Sequence, residues 1–340
     1  MPLTRIELEN FTAFSKLSLD LSPGINVVVG ANGTGKTHLM KVCYAACEAY
    51  RQDFRFAEKL VRVFLPSGSS VGRLVTRKSG SSSATIRVFR GKHRIVLKFS
   101  NHTTSTSSLK AQRARIWRTD PLNSVYIPGK ELLANAPGFR SLHASREIHF
   151  DDTYADIIDR AYVPPLRESI DAVRKRVLRT FNKAIGGRVT VKNEEFFLSS
   201  RQGNIEFSLL AEGTRKLALL WILVQNGTLR DGTVLMWDEP ETNLNPGLFG
   251  TVIDVLLELQ RTGLQVLLAT HDYVILKELD LRTEEGDQVM YHSLYRDVDT
   301  GDIMCHSTAQ FEDIDPNAIA ATFDDLYDRE IERTIGTQTP

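Results

Sequence analysis

Cysteine is scarce: there are three in 340 residues. Cys43 and Cys47 stand one helical turn apart and Cys305 lies far down the chain, which excludes a disulfide framework or a zinc cage and leaves all three as packing residues. No run of about eighteen apolar residues occurs, and the chain opens without a charged-then-apolar leader. Membrane insertion is therefore not expected, and a cytoplasmic location is. Internal repeats and sustained heptads are also missing, which excludes a long coiled-coil arm. The most informative scarcity is of acid. Residues 59–119 hold no Asp or Glu but fourteen Lys and Arg, among them Lys59, Arg62, Arg73, Arg77, Lys78 and Arg87. Residues 278–332 reverse the balance, so the formal net charge of +0 hides one basic and one acidic end. With 42% hydrophobic content the chain can bury a large core, as one α/β domain or two lobes.

What is present is centred on residues 25–37, INVVVGANGTGKT. An apolar strand (25–29) runs into Gly30-Ala31-Asn32-Gly33-Thr34-Gly35, closed by Lys36 and Thr37, and this fits G-x-x-x-x-G-K-[ST]. The glycines let the backbone curl until its N–H groups point at phosphate oxygens. Lys36 supplies a point charge for the β- and γ-phosphates, and the Thr37 hydroxyl a ligand for Mg²⁺. The helix expected from residue 37 to about Tyr50 adds the positive end of its dipole. A chance glycine-rich turn is the bland alternative, and strand, loop and helix in this order argue against it.

Around this loop the pattern is readable. Leu3 to Phe11 and Leu17, Leu19, Leu21 alternate as two half-buried strands. Three strand-like runs, 73–76, 84–89 and 93–99, predict an antiparallel meander carrying the acid-free stretch, and 124–127 a short strand. Leu166, Ile170, Val173, Val177, Phe181 and Ile185 predict a helix of about twenty residues ended by Gly186-Gly187. Residues 189–191, 195–198 and 205–209 predict a hairpin turning at Gly203-Asn204. Residues 233–237 and 264–270, joined by a helix opening at Pro246, predict a βαβ unit with buried parallel strands. A hairpin (290–295 with 303–306) and an acidic helix, roughly 316–334, close the chain.

The first of those parallel strands ends in Asp238-Glu239. Such a pair divides naturally, Asp238 holding Mg²⁺ directly or through water and Glu239 polarising the attacking water; a helix-capping acid pair is the plain alternative. The next strand ends in Ala269-Thr270-His271-Asp272, which sets His271 where it can touch a γ-phosphate.

GANGTGKT, VLMWDEPETNLNP and LLATHD, preceded by Leu210-Ala211-Glu212-Gly213-Thr214-Arg215-Lys216 and opened by ELENFTAF, resemble an ABC-type ATPase of the RecF/SMC branch within the AAA family, over nearly the whole chain. The resemblance implies an α/β P-loop NTPase: an ABC-ATPase-like head with a mixed central sheet, an antiparallel β lobe and a helical lobe. It divides as residues 1–60 (first strands, loop and helix of the ATPase core), 61–127 (basic β lobe), 128–212 (helical lobe and hairpin), 213–275 (core with the carboxylate strand and switch histidine) and 276–340 (acidic hairpin and helix). It implies ATP and Mg²⁺ held by Gly30, Asn32, Gly33, Thr34, Gly35, Lys36 and Thr37, with Asp238 as metal residue, Glu239 as base and His271 as switch. It also implies a head-to-tail dimer in which Gly213, Thr214 and Arg215 close over the partner's ATP.

The sequence departs from the family in three ways. Ala211, Glu212 and Gly213 stand where a serine and two glycines are usual, which leaves the Gly213 N–H, Thr214 or Arg215 to reach the partner's γ-phosphate. No glutamine follows strand 124–127, where Lys130 and Glu131 stand instead. Too little chain follows His271 for an appended nuclease of the Toprim type. The chain is also similar to ATPase subunits of bacterial anti-phage systems such as Septu and PARIS, which implies a separate nuclease or Toprim effector. DNA or RNA on the 59–119 lobe is the companion expectation, with a solvated or protein-docking face as its rival. A RecF-like repair ATPase, a transporter motor and a non-hydrolysing scaffold are the other readings.

Overall fold

The computed structural model describes residues 1–49, 55–145, 148–167 and 171–336. β1 (Arg5–Phe11) and β2 (Phe14–Asp20) follow the alternation, with Ile6, Leu8, Leu17 and Leu19 buried. β3 (Ile25–Val29) is buried at every position and feeds α1 (Lys36–Glu48), against which α2 (Phe56–Phe64) packs. The hairpin β4 (Ser83–Arg90) and β5 (His93–Ser100) is followed by the short α3 (Arg115–Thr119) and by β6 (Asn123–Ile127). Next come α4 (Phe139–Ala144), α5 (Asp152–Ala161) and α6 (Ala172–Ile185), then β7 (Arg188–Lys192), β8 (Glu195–Ser200) and β9 (Gly203–Glu206). α7 (Glu212–Gln225), β10 (Thr233–Asp238), α8 (Phe249–Arg261), β11 (Gln265–Thr270) and α9 (Tyr273–Arg282) build the rest of the core. β12 (Val289–Arg296), β13 (Ile303–Thr308) and α10 (Ala318–Gly336) complete it.

The central sheet has six strands in the order β13-β12-β3-β11-β10-β6, parallel except for β13 at its edge. Its two faces bury alternate residues of the same strands. Val28, Val234 and Met236 face a core made with α1 and the four-stranded sheet, whereas Val27, Val29, Leu235 and Trp237 face the core of α5 to α9. This double burial explains why β3, β10 and β11 read as mostly apolar runs.

β1 and β2, with β4 and β5, form a separate antiparallel sheet, order β2-β1-β4-β5. Several expectations are corrected. The run 73–76 is no strand: Val71–Leu74 is a 3-10 turn, because Gly72 is pressed against the chain at Asn101 and Thr103 and donates its N–H to the Thr103 carbonyl at 2.8 Å. Gly203 and Asn204 lie inside β9, which makes the hairpin a three-stranded sheet, and residues 207–209 turn as 3-10. α6 has 14 residues, capped by the Asp171 carboxylate on the Arg174 N–H. Leu166 lies outside that helix, and the expected Ile170, like Tyr50 at the end of α1, falls outside the described residues. The expected C-terminal hairpin is present as β12 and β13, and β12 runs parallel to β3 in the central sheet.

Within β12, His292 is fully buried between Ser307 Oγ at 2.8 Å and Asn26 Oδ1 at 3.2 Å. Burial pushes its pKa from 6.5 down to about 4. Below pH 6.5 the unfolded chain takes up a proton that the folded chain refuses, so this part of the stability is complete above pH 6.5 and drains as the pH falls toward 4. The loss amounts to about 3 kcal/mol. Urea unfolding across this range is expected to show a shallower pH slope for His292→Gln than for the wild type; equal slopes would refute the assignment.

Candidate nucleotide site

The carboxyl ends of β3, β11 and β10, side by side, carry the residues singled out above. The loop after β3 needs its glycines. Gly30, Gly33 and Gly35 have φ of 152°, 82° and 94°, and a Cβ on Gly30 would stand 2.3 Å from the Leu294 carbonyl oxygen. The Thr34 hydroxyl donates to the Ala31 carbonyl at 2.9 Å and pins the curl, while Asn32 and Gly33 stand exposed at its tip. Lys36 is buried and donates to the Gly30 and Ala31 carbonyls at 2.6 and 3.1 Å. Burial lowers its pKa, against the pull of Glu239, Asp238 and Glu241. It has no carboxylate in ion-pair contact among the described residues, and a buried cation at the start of a helix, behind a glycine-rich loop, suits a phosphate.

On the neighbouring α1, the Thr37 hydroxyl lies 3.2 Å from Asp238 Oδ1. The other oxygen, Oδ2, accepts from the Tyr126 hydroxyl at 3.0 Å. Burial raises the Asp238 pKa, opposed by those two hydrogen bonds. A hydroxyl beside a carboxylate is a hard-oxygen donor pair of the type Mg²⁺ takes. Glu239 follows at φ 48°, a conformation uncommon outside glycine, held by its N–H on the Ala269 carbonyl at 2.9 Å. That turn sets its carboxylate 3.5 Å from His271 Nδ1 and open to solvent. The structure thus brings Lys36, Thr37, Asp238, Glu239 and His271 together.

It places the other three elsewhere. Gly213, Thr214 and Arg215 lie in the first turn of α7, whose cap residue Ala211 offers no side-chain acceptor, and none bonds to the loop among the described residues. Arg215 is tied to Glu131 and to the carbonyls of Phe207 and Leu210. The Glu212 carboxylate accepts from Asn243 Nδ2 at 2.9 Å. A Cβ on Gly213 would stand 2.8 Å from the Asn243 carbonyl oxygen, so α7 and the turn after the carboxylates touch backbone to backbone.

Sequence reasoning missed Tyr126 and Glu241. Tyr126 is buried and opposite Met236 in the register of β6 on β10, which brings its hydroxyl to Asp238 once the sheet order is known. Glu241 accepts from the Thr270 hydroxyl and the His271 N–H at 2.8 and 3.0 Å, and lies 3.3 Å from His271 Nδ1. Burial raises its pKa.

Sheet order, phosphate loop and the carboxylate and histidine strands together define a P-loop NTPase with the head fold of the ABC and SMC proteins. Residues 25–277 match the family described as "AAA domain, putative AbiEii toxin, Type IV TA system", and the chain belongs to that family. The SMC head bound to the C-winged helix domain of ScpA superposes with a TM-score of 0.54 at 14% identity, covering 91% of this chain and 98% of that one. The chain is 51% identical over 47 residues to the DNA replication and repair protein RecF of Acidothermus cellulolyticus, 14% of this chain and 13% of that protein. With RecF of Renibacterium salmoninarum it shares 29% over 133 residues, 38% and 28% of the two chains. These matches span less than a third of either relative. Among the described residues no helix is long and apolar enough to cross a membrane.

Proposed function

We propose that this chain binds ATP with Mg²⁺ and hydrolyses it in a site completed by a second copy, so that turnover alternates between paired and separated heads. The observation carrying the reading is the convergence of Lys36, Thr37, Asp238, Glu239 and His271 at the ends of adjacent strands. The loop N–H groups and Lys36 orient the β- and γ-phosphates. Thr37 and Asp238 would hold Mg²⁺, which when bound offsets the charge developing on the phosphates. Glu239 takes the proton of the attacking water, and His271, between Glu239 and Glu241, orients the γ-phosphate. With no serine at residue 211, the Gly213 N–H or Thr214 of the second copy would close the site; Arg215 is already engaged in its own chain.

A place in a defence complex beside a separate effector rests on the sequence resemblance; the family description names a putative AbiEii toxin of a Type IV TA system, and the RecF relatives support work on DNA. A nucleic-acid contact has its own support in the basic lobe. Lys59, Arg62, Arg87 and Arg90 are paired with Asp152, Asp156, Glu7, Glu9 and Asp120. Arg73, Arg77 and Lys78 instead line a cavity of about 400 Å³ with no carboxylate among its lining.

The test is nucleotide binding followed by sedimentation. A non-hydrolysable ATP analogue with Mg²⁺ is expected to bind the wild type and shift it to a larger species. Lys36→Ala should weaken binding about 10- to 100-fold, the loss of a charged hydrogen-bonding group. Equal binding by both proteins would refute the site.

A further inference from the structure

A groove in the helical part of the molecule has a composition that the fold does not require. α6 presents Lys175, Leu178, Arg179 and Asn182 at i, i+3, i+4 and i+7, one face of the helix. α7 runs beside it with Trp221 and Gln225 one turn apart, and Arg188 at the start of β7 closes the end. The cavity between them measures about 460 Å³. Its floor is apolar, from Leu178 and Trp221, and its walls are cationic. Lys175, Arg179 and Arg188, with Lys183 one turn further on, are exposed, and none is ion-paired with a carboxylate among the described residues. Arg176, on the other side of α6, does have such a partner in Glu258.

The complementary surface is in the same chain. α10 carries Asp324, Asp325, Asp328, Glu330 and Glu332 against Arg329 and Arg333. Phe323, Leu326, Tyr327 and Ile331, spaced i, i+3, i+4 and i+8, form an apolar stripe along it, each between 38% and 64% exposed. The root of α10 is anchored, with Ile319 buried and the Phe323 ring 4.7 Å from that of Tyr273 on α9. Beyond the root, the stripe lies open to water. Two α10 helices laid together would set acid beside acid, whereas the α6–α7 groove sets acid beside base around an apolar floor. Within its own copy the root of α10 lies apart from the groove: α6 packs on α8 and α8 on α9, so α8 stands between the helix that lines the groove and the helix that carries Tyr273.

We propose that α10 of one copy docks in the α6–α7 groove of a second copy, with its apolar stripe on Leu178 and Trp221 and its carboxylates on Lys175, Arg179, Lys183 and Arg188. This is a helix-in-groove contact. When both copies exchange helices the pair closes as a two-fold dimer. The contact needs no nucleotide, so it stands apart from the pairing through ATP and is tested without it.

The experiment is sedimentation of the full chain in EDTA without nucleotide, in a series of salt concentrations. Wild type is expected to self-associate and to come apart as salt rises, because the contact is built on partly exposed charge. Arg179→Glu with Arg188→Glu, and separately Asp324→Lys with Asp328→Lys, should each raise the dissociation constant about 100-fold. All four positions are exposed, and circular dichroism shows whether each variant keeps its fold. Mixing the two variants sets reversed acids against reversed bases and should restore a mixed assembly. A wild type that stays monomeric, variants that associate as the wild type does, or a mixture that stays apart would overturn the proposal; unchanged association is also the outcome if the groove serves an acidic foreign protein or a nucleic acid.

Discussion

Glu239→Gln is expected to lower ATP turnover by about 10²- to 10⁴-fold, the usual contribution of a positioned general base, while nucleotide binding stays within about threefold of wild type. The separation follows from placement. Glu239 sits past the end of β10, its carboxylate partly exposed and 3.5 Å from His271 Nδ1, whereas the groups proposed to grip phosphate and metal are Lys36, Thr37 and Asp238. The amide keeps the size of the side chain and removes its capacity to take a proton. Steady-state phosphate release and equilibrium binding of a labelled nucleotide give the two numbers. A wild type as slow as the variant would sink the hydrolytic reading and leave the nucleotide as an assembly signal.

The second large effect concerns stability. Lys59 is 1% exposed, with its ammonium 3.0 Å from Asp152 and 2.5 Å from Asp156. Asp156 also accepts from the Tyr44 hydroxyl at 2.7 Å. Burial pushes the Asp152 pKa upward, but Arg62 and Lys59 pull it below the ordinary carboxylate range. Lys59→Met leaves this buried acid pair short of its cation and should cost about 3–5 kcal/mol, read from urea unfolding. Adding Asp156→Asn to that variant removes one stranded charge and should recover part of the loss. Arg73→Ala and Arg77→Ala, at exposed positions without ion pairs among the described residues, should change stability by less than about 0.5 kcal/mol. A cost below about 1 kcal/mol for Lys59→Met would refute the buried cluster.

That contrast marks what the sequence could and could not tell. The acid-free run from Lys59 to Arg118 reads as one basic surface, yet its partners come from far along the chain. Glu7 and Glu9 lie across a strand pair from Arg87, and Asp152 and Asp156 sit on a helix packed against α2. Charge along the sequence is legible; charge in space depends on the fold. The phosphate loop, the carboxylate strand and the histidine strand are legible because each is a short apolar run ending in a fixed set of polar residues, and local chemistry specifies them. The run 73–76 misleads, because two β-branched residues follow a glycine that the structure uses for a close crossing. Tyr126 is silent in the sequence, since a tyrosine inside a buried strand reads as core until the strand beside it is known.

β12 ties the C-terminal quarter of the chain to the phosphate loop. It lies parallel to β3, and its Leu294 carbonyl fills the space a side chain on Gly30 would need. One residue earlier, the Ser293 hydroxyl donates to the carbonyl of Pro316, just ahead of α10. The rim of the phosphate loop and the base of the acidic helix are therefore held to adjacent residues, Leu294 and Ser293, of one strand.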